Sequence, residues 1–160
     1  MVRYEDEELS IPTKLDHVLL RLLDSMRRAI EVGDDLRVVA LANELEDYAL
    51  VVADESDKKT LNKLRKLEDY VIEELLHLAG DMGAKKITSA LLETRLVFAR
   101  ERKRLALAAL ARNQFVISRG ASYDLSLSKL IDDLNVVLDI YGVGLKLDVK
   151  IAEEVVGSGR

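Results

Sequence analysis

Cysteine is absent from the 160 residues of this sequence. Disulfide bonds, catalytic thiolates and zinc sites with cysteine ligands are therefore excluded. Amide side chains are also scarce, with four asparagines and one glutamine beside 24 Lys and Arg and 29 Asp and Glu residues. Few amides together with many charged residues are typical of proteins from thermophiles.

Long apolar runs are missing as well, and none approaches the length that a bilayer-spanning helix needs. Residues 1–8 are acidic, unlike a secretory signal peptide, so we expect a cytoplasmic protein that does not contact the membrane. Hydrophobic residues make up 49% of the sequence and charged residues 33%, which predicts a folded chain with a real core.

Catalytic motifs are equally hard to find. No glycine-rich phosphate loop is present, and no serine has a histidine in a suggestive context. The five tyrosines are too scattered to form a platform for stacked bases. We therefore expect a non-enzymatic protein that has no catalytic residues, cofactor or metal and that binds another macromolecule.

Hydrophobic residues recur at helical spacing in three successive segments, 15–30, 38–52 and 61–78. The residues that separate these helices are Gly33, Asp34 or Asp35, the polar turn at 54–57, and Gly80 with Gly83. Three amphipathic helices joined by short loops predict an antiparallel bundle.

Each of the first two helices has a predicted buried stripe. In the first helix it comprises Leu15, Val18, Leu19, Leu22, Leu23, Met26, Ala29 and Ile30. In the second helix it comprises Val38, Leu41, Ala42, Leu45, Ala49 and Val52. The other flank of the second helix is expected to present Glu44, Glu46 and Asp47 to solvent.

The fourth helical segment, 88–112, has apolar residues around its whole circumference except at a basic centre, residues 100–104. Because five consecutive residues cover a full helical turn, this centre cannot be buried on any side without partners. The segment is therefore one long helix with an exposed centre, or two helices with a break near residues 97–99.

Minor β structure is expected after residue 114. Residues 115–117 are β-prone, a turn follows at 119–122, and residues 123–127 can return as a strand. The tail from 143 to 151 alternates strictly between apolar and other residues, which favours a strand, and a helix over 148–156 is the alternative.

A fifth helix lies between these β-prone segments. It begins near Ser126 or Ser128 and ends at Gly142. The expected fold is mostly all-α, an antiparallel bundle of about five helices with a short β-hairpin or strand after residue 114. We expect a single helical domain over residues 1–160, with a subdivision into a three-helix bundle at 1–83 and a second part at 84–156.

The net charge of −5 is unevenly distributed. A net charge of +6 accumulates between residues 95 and 119, so the remainder of the chain must carry −11. The basic residues of this segment are Arg95, Arg100, Arg102, Lys103, Arg104, Arg112 and Arg119. Segregated positive charge in an acidic protein predicts nucleic-acid binding, with these side chains contacting the phosphates of DNA or RNA.

The order of elements from Ile87 onward resembles a winged helix-turn-helix domain. Residues 90–92 match its first helix, 95–98 its turn, 100–110 its recognition helix and 115–125 its wing. The resemblance implies a nucleic-acid interface on the recognition helix.

A second resemblance is to the helical domain of archaeal GINS replication subunits. Helices at 64–76 and 91–108 precede a final amphipathic helix, as in that family. Arg100, Lys103 and Ala108 match positions where the family often has arginine, lysine and alanine. The resemblance implies a protein–protein assembly subunit of the replicative helicase, whose partner is another protein or, in a homo-oligomer, a second copy.

A purely structural alternative accounts for the same charges. The arginines of a long helix can pair with acidic residues of the bundle, such as Glu44, Glu73 and Glu74. The basic centre would then stabilise the fold and contact no phosphate.

Metal chemistry is a further alternative. Glu74 and His77 have the Glu-x-x-His spacing of di-metal bundles, but such a site needs two of these pairs. We therefore expect His77 to be a flank histidine, and His17 to lie on the surface. A second acidic set is similar to the magnesium-binding carboxylates of helical nucleotide pyrophosphohydrolases, namely Glu44, Asp47, Glu73 and Glu74.

Overall fold

Six α-helices dominate the part of the chain that the structure describes. The structure is a computed structural model, and it describes residues 2–4, 7–9, 16–113 and 125–157. The helices are α1 (Asp16–Val32), α2 (Asp35–Val52), α3 (Glu55–His77), α4 (Ala84–Asn113), α5 (Leu127–Ile140) and α6 (Val149–Gly157). The predicted mostly all-α fold is therefore confirmed. None of these described helices is long and apolar enough to span a membrane.

Two strands of three residues precede α1. β1 (Val2–Tyr4) and β2 (Glu7–Leu9) pair antiparallel, with Val2 opposite Leu9. No pattern in the sequence predicted this pair, because three residues are too few to establish an alternation. The hairpin predicted at 115–127 lies mostly outside the described residues, and its last residue, Leu127, begins α5.

Glycine and aspartate mark helix ends where the sequence predicts them. Gly33 adopts φ 74°, the left-handed conformation that ends α1, and Gly142 ends α5 in the same way with φ 62°. The side chain of Asp34 caps α2 by accepting a hydrogen bond from the backbone N–H of Arg37 at 3.3 Å.

The third helix begins earlier than its hydrophobic pattern indicates. Residues 55–57, predicted as a turn, form the first turn of α3, and Asp54 caps it by accepting from the backbone N–H of Asp57 at 2.8 Å. Carboxylates are favoured at a helix N-terminus, so a charged stretch can be helical there without a buried stripe.

The fourth helix is continuous over 30 residues. Residues 95–98, which the winged-helix resemblance assigns to a turn, are helical, so that interpretation is wrong. Neither glycine nor proline interrupts the stretch, and Val97 and Phe98 are buried. One long helix, the first of the two alternatives, is confirmed, while most of the predicted wing lies outside the described residues.

The tail alternates in burial but is not a strand. Val143 and Leu147 are buried. The side-chain amide of Asn135 donates to the carbonyl of Leu147 at 3.0 Å and accepts from its N–H at 2.7 Å. An asparagine side chain thus takes the place of a neighbouring strand. The strand predicted at 143–151 is wrong, and the helical alternative is observed as α6.

The chain divides into two compact units. Unit 1 comprises residues 1–61 and 99–124, and unit 2 comprises residues 62–98 and 125–160. Both divisions fall inside long helices, so α3 and α4 each contribute to both units. The single domain over 1–160, its subdivision at residue 83 and the antiparallel bundle arrangement stay predictions.

The described core of unit 1 combines α1, α2 and the C-terminal part of α4. Residues 105–111 of α4 are all buried, because a helix that is apolar on every side is enclosed on every side. The core residues of α1 and α2 are Leu19, Leu23, Met26, Ala29, Val38, Leu41, Ala42, Leu45 and Ala49. Val18 and Ile30, predicted for the buried stripe of α1, are about half exposed.

Unit 2 has a core of its own, in which α5 and α6 contact each other. The buried residues of α5 recur at helical spacing on one face, namely Leu130, Ile131, Leu134 and Leu138. The other described core residues of unit 2 include Leu64, Leu67, Val71, Leu75, Ala90, Phe98, Val143, Leu147, Ala152 and Val156.

Candidate functional site

The seven basic residues predicted to bind nucleic acid do not share one environment. Arg95 and Arg100 are exposed, Arg102 and Lys103 are buried, Arg104 and Arg112 are held by carboxylates, and Arg119 lies outside the described residues. Within the described part of the chain, no ion pair holds Arg95 or Arg100.

Arg102 of α4 forms a buried ion pair with Glu46 of α2 inside unit 1. Its Nε lies 3.5 Å from Oε2 of Glu46, and both side chains are 2% exposed. The predictions that Glu46 faces solvent and that the basic centre is exposed all round are therefore wrong. A charge buried alone would be very costly, and in this pair each charge helps to compensate the other.

Alanine rows explain how this pair fits inside the unit. The row on α2 is Ala42, Glu46, Ala49 and Ala53, and the row on α4 is Ala99, Arg102, Ala106 and Ala109. In each row the residues stand three or four positions apart and share one helix face. Every alanine of the two rows is buried. Small side chains leave room for one long charged side chain in each row, and this pattern is the signal that could have identified Glu46 as buried.

Two more arginines of the segment are matched within unit 1. Arg104 binds Glu101 of the preceding helical turn, with Nε 2.9 Å from Oε1 and Nη2 2.5 Å from Oε2. Arg112 reaches Asp57 of α3, with Nη1 3.3 Å from Oδ1. Pairing of arginines with the chain's own acids, the structural alternative, is thus observed. The acids involved are Glu46, Asp57 and Glu101, and not the expected Glu44, Glu73 and Glu74.

The N-terminus of α3, which receives Arg112, carries two aspartates in different environments. Asp57 is buried, whereas Asp54 is exposed. The hydrogen bond from the backbone N–H of Asp57 holds the pKa of the Asp54 carboxyl below its usual value of 3.8. Asp54 therefore remains an ionised cap throughout the neutral range.

The carboxylates considered for metal chemistry do not assemble into a site. Among the described residues, no three His, Asp or Glu side chains are grouped so that they could hold an ion. His77 is exposed, and its Nδ1 lies 3.5 Å from Oε2 of Glu74 on the same helix, as expected for a flank histidine. His17 is exposed, as predicted.

No family model, curated protein or solved structure matches this chain. The function is therefore inferred from the surface chemistry of the described residues. The resemblance to GINS subunits accordingly stays an interpretation of the residues that suggested it.

Large aliphatic side chains are exposed on the α1–α2 hairpin of unit 1. Val51, Val32 and Leu36 are 80%, 77% and 73% exposed, the three highest values among the described large hydrophobic residues. Val32 ends α1, while Leu36 and Val51 lie near opposite ends of α2. Leu36 and Val51 are 15 residues, or about 22 Å, apart along α2, so these side chains are separate apolar points on the hairpin and do not form one contiguous patch.

An open groove lies between α1 and α2 of unit 1. Its volume is about 560 Å³. Its apolar lining is Val18, Leu22 and Leu41, and its charged lining is Arg21, Arg37, Glu44 and Asp47. A mixed lining of this kind suits the side chains of a protein partner, because apolar and charged groups can both be matched.

Proposed function

We propose that the protein is a non-catalytic assembly subunit, which works by binding protein surfaces, including further copies of itself. The observation that carries this proposal is the high exposure of three large aliphatic side chains on the α1–α2 hairpin, Val32, Leu36 and Val51. Apolar area in contact with water is unfavourable by about 25 cal/mol per Å², and a bound protein surface would remove that area from water.

The basic segment, residues 95–119, supports the same proposal because many of its charges are already engaged within the protein. Arg102, Arg104 and Arg112 are engaged by carboxylates of unit 1, and Lys103 is buried and engaged as well. Much of the positive charge therefore stabilises the unit, and little of it is presented to a phosphate backbone. An assembly role is also what the resemblance to GINS subunits implies.

The mass of the protein in solution, measured with and without nucleic acid, tests the proposal. Light scattering over a concentration series should give a mass above the 17.9 kDa of one chain. Addition of duplex DNA or of RNA should leave that mass unchanged. A chain that stays monomeric over its whole soluble range would contradict the proposal.

Nucleic-acid contact is the second candidate, and the exposure of Arg95 and Arg100 favours it. These residues are five positions apart on α4, which places them about 140° apart around the helix axis. They would therefore contact phosphates on different sides of the helix, with Arg119 outside the described residues as a further candidate.

A charge-reversal experiment tests this second candidate. The double variant R95E/R100E should lose affinity for labelled DNA or RNA at low salt, measured by fluorescence anisotropy. The matched control K129E/K150E changes the net charge equally at two exposed lysines of α5 and α6. An equal loss in both variants, or no binding by the unmodified protein even at low salt, would eliminate the candidate.

A further inference from the structure

The exposed face of α2 combines apolar, small and charged residues. Its exposed residues are Leu36, Arg37, Ala40, Asn43, Glu44, Asp47 and Val51. At 100° per residue they fall within about 120° of the helix circumference, so they form one continuous stripe. The stripe has a large aliphatic residue near each end and the small Ala40 near its middle.

The charges of this stripe are arranged so that they cannot satisfy each other within one chain. Arg37 and Asp47 are ten residues apart on α2, or about 15 Å along its axis. Among the described residues neither of them is in an ion pair, whereas the exposed Arg27 and Arg28 of α1 both pair with Asp24. The basic end of the stripe and its acidic part both lack a partner of opposite charge.

We infer that the α2 face binds the α2 face of a second copy of this chain, antiparallel about a two-fold axis near Asn43 and Glu44. The inference rests on the proposed protein association and names the partner. An axis at this point places Leu36 against Val51 of the second copy and brings Arg37 within one helical turn of its Asp47. Each contact occurs twice, as a two-fold interface requires.

Charge complementarity selects this occupant and this direction. A parallel arrangement would place Arg37 beside Arg37 of the second copy and Asp47 beside Asp47, and like charges in an interface are strongly unfavourable. The antiparallel arrangement replaces these two repulsions with attractions, and the two Glu44 side chains at the axis are the like charges that it leaves side by side. The groove beside α2 shares Arg37, Glu44 and Asp47 with the stripe, so the concave part of the surface continues the same face.

The size of the face sets the expected strength of association. The 18 residues of α2 extend over about 27 Å. One helix face of this length is smaller than the standard interface of about 800 Å² per partner, so we expect a reversible dimer whose population depends on protein concentration.

Aspartate substitutions of equally exposed aliphatic residues test where the interface lies. L36D and V51D should each shift the dimer to monomer in sedimentation-velocity experiments at concentrations where the unmodified protein is dimeric. I140D is the matched control, because Ile140 of α5 is 71% exposed against 73% for Leu36. Far-UV circular dichroism of each variant should match the unmodified protein, since the replaced side chains are on the surface.

A charge exchange tests the antiparallel two-fold directly. R37D and D47R should each weaken the dimer, because each single change places like charges opposite one another. The double variant R37D/D47R should restore dimerisation, since the exchanged charges again meet their opposites. A parallel or unrelated interface would not show this rescue.

Failures of the inference and of the proposed function are distinguishable. Suppose that the unmodified protein oligomerises. If L36D then dimerises as well as I140D, or if R37D/D47R dimerises no better than R37D and D47R, the α2 interface is overturned. The proposed protein association still stands in that case. If the unmodified protein is monomeric at all concentrations, both are overturned.

Discussion

Glu46 and Arg102 place opposite charges inside unit 1, where each helps to compensate the other. Glu46→Leu should lower the free energy of unfolding by about 3–5 kcal/mol, because it removes a carboxylate that compensates the buried guanidinium of Arg102. Chemical denaturation of the variant measures this loss. Lys58→Met is the matched control, since it removes an exposed pair with Glu55 at 4.0 Å and should change stability little.

The double variant Glu46→Leu with Arg102→Met separates charge pairing from packing. Apolar replacement of both members of a buried pair is often neutral or stabilising, so most of the stability lost in Glu46→Leu should return. If the double variant is as unstable as Glu46→Leu alone, the two charges do not depend on each other in this way.

Asn135 also has its partner outside its own helix, in the backbone of Leu147. Asn135→Leu removes two hydrogen bonds to the backbone of Leu147 and should cost about 1–3 kcal/mol, because a buried backbone group loses its partner. Hydrogen exchange should show faster exchange of the Leu147 amide. Asn62→Leu, at an exposed position of α3, should change neither quantity. Unchanged protection of Leu147 in Asn135→Leu would contradict this account.

Such residues explain the limit of sequence-based prediction at this scale. Glu46 follows the buried Leu45, and its partner is on another helix, so the pattern of α2 alone shows it as an ordinary flank residue. The tail does alternate between apolar and other residues, but it is not a strand. The partner of its backbone at Leu147 is the side chain of Asn135, 12 residues away, and not a neighbouring strand. Hydrophobic periodicity reports which side of an element is buried, and it does not report what covers that side.

At the scale of elements, the cap at the N-terminus of α3 should make the stability of the protein depend on pH. The pKa of Asp54 is lower in the folded protein than its usual 3.8, because its carboxylate accepts the backbone N–H of Asp57. The stability from this cap is therefore present above pH 3.8 and is lost as the pH falls through the lowered folded pKa. Asp54→Asn retains a capping side chain that does not titrate.

We therefore expect the melting temperature of the unmodified protein to fall relative to that of Asp54→Asn as the pH drops below 3.8. Thermal unfolding followed by circular dichroism measures the difference. Asp139→Asn, at an exposed position of α5 away from any cap, should show no such change relative to the unmodified protein. The capping role would be contradicted if the melting temperatures of Asp54→Asn and the unmodified protein differed by the same amount at every pH.

The bounds of a helix could be predicted where a stripe of hydrophobic residues ends at a glycine or begins at a capping aspartate. Gly33 and Gly142 end α1 and α5 as expected, and Asp34 caps α2. The start of α3 was missed because capping and the helix dipole, and not a buried stripe, favour helix at residues 55–57. The turn predicted at 95–98 is wrong because this stretch has neither glycine nor proline to end a helix, and α4 continues through it.

At the scale of the whole molecule, an uneven distribution of charge does not by itself identify a binding surface. The segment from 95 to 119 is basic in sequence, yet three of its arginines meet carboxylates of unit 1. The charges that no ion pair holds on the described α2 face are instead Arg37, Glu44 and Asp47, which belong to an ordinary amphipathic pattern. A surface of this kind becomes evident only when exposed aliphatic residues and unmatched charges are found on the same stripe.

The absence of cysteine makes a direct measurement of the α2 interface straightforward, because one introduced cysteine is the only thiol in the protein. An axis near Asn43 brings the two copies of an N43C variant within reach of a disulfide. Under mild oxidation, N43C should form a species of twice the 17.9 kDa chain mass on a non-reducing gel, while N62C, at an exposed position of α3, remains a single chain. Equal cross-linking of the two variants, or none in N43C, would contradict the α2 dimer.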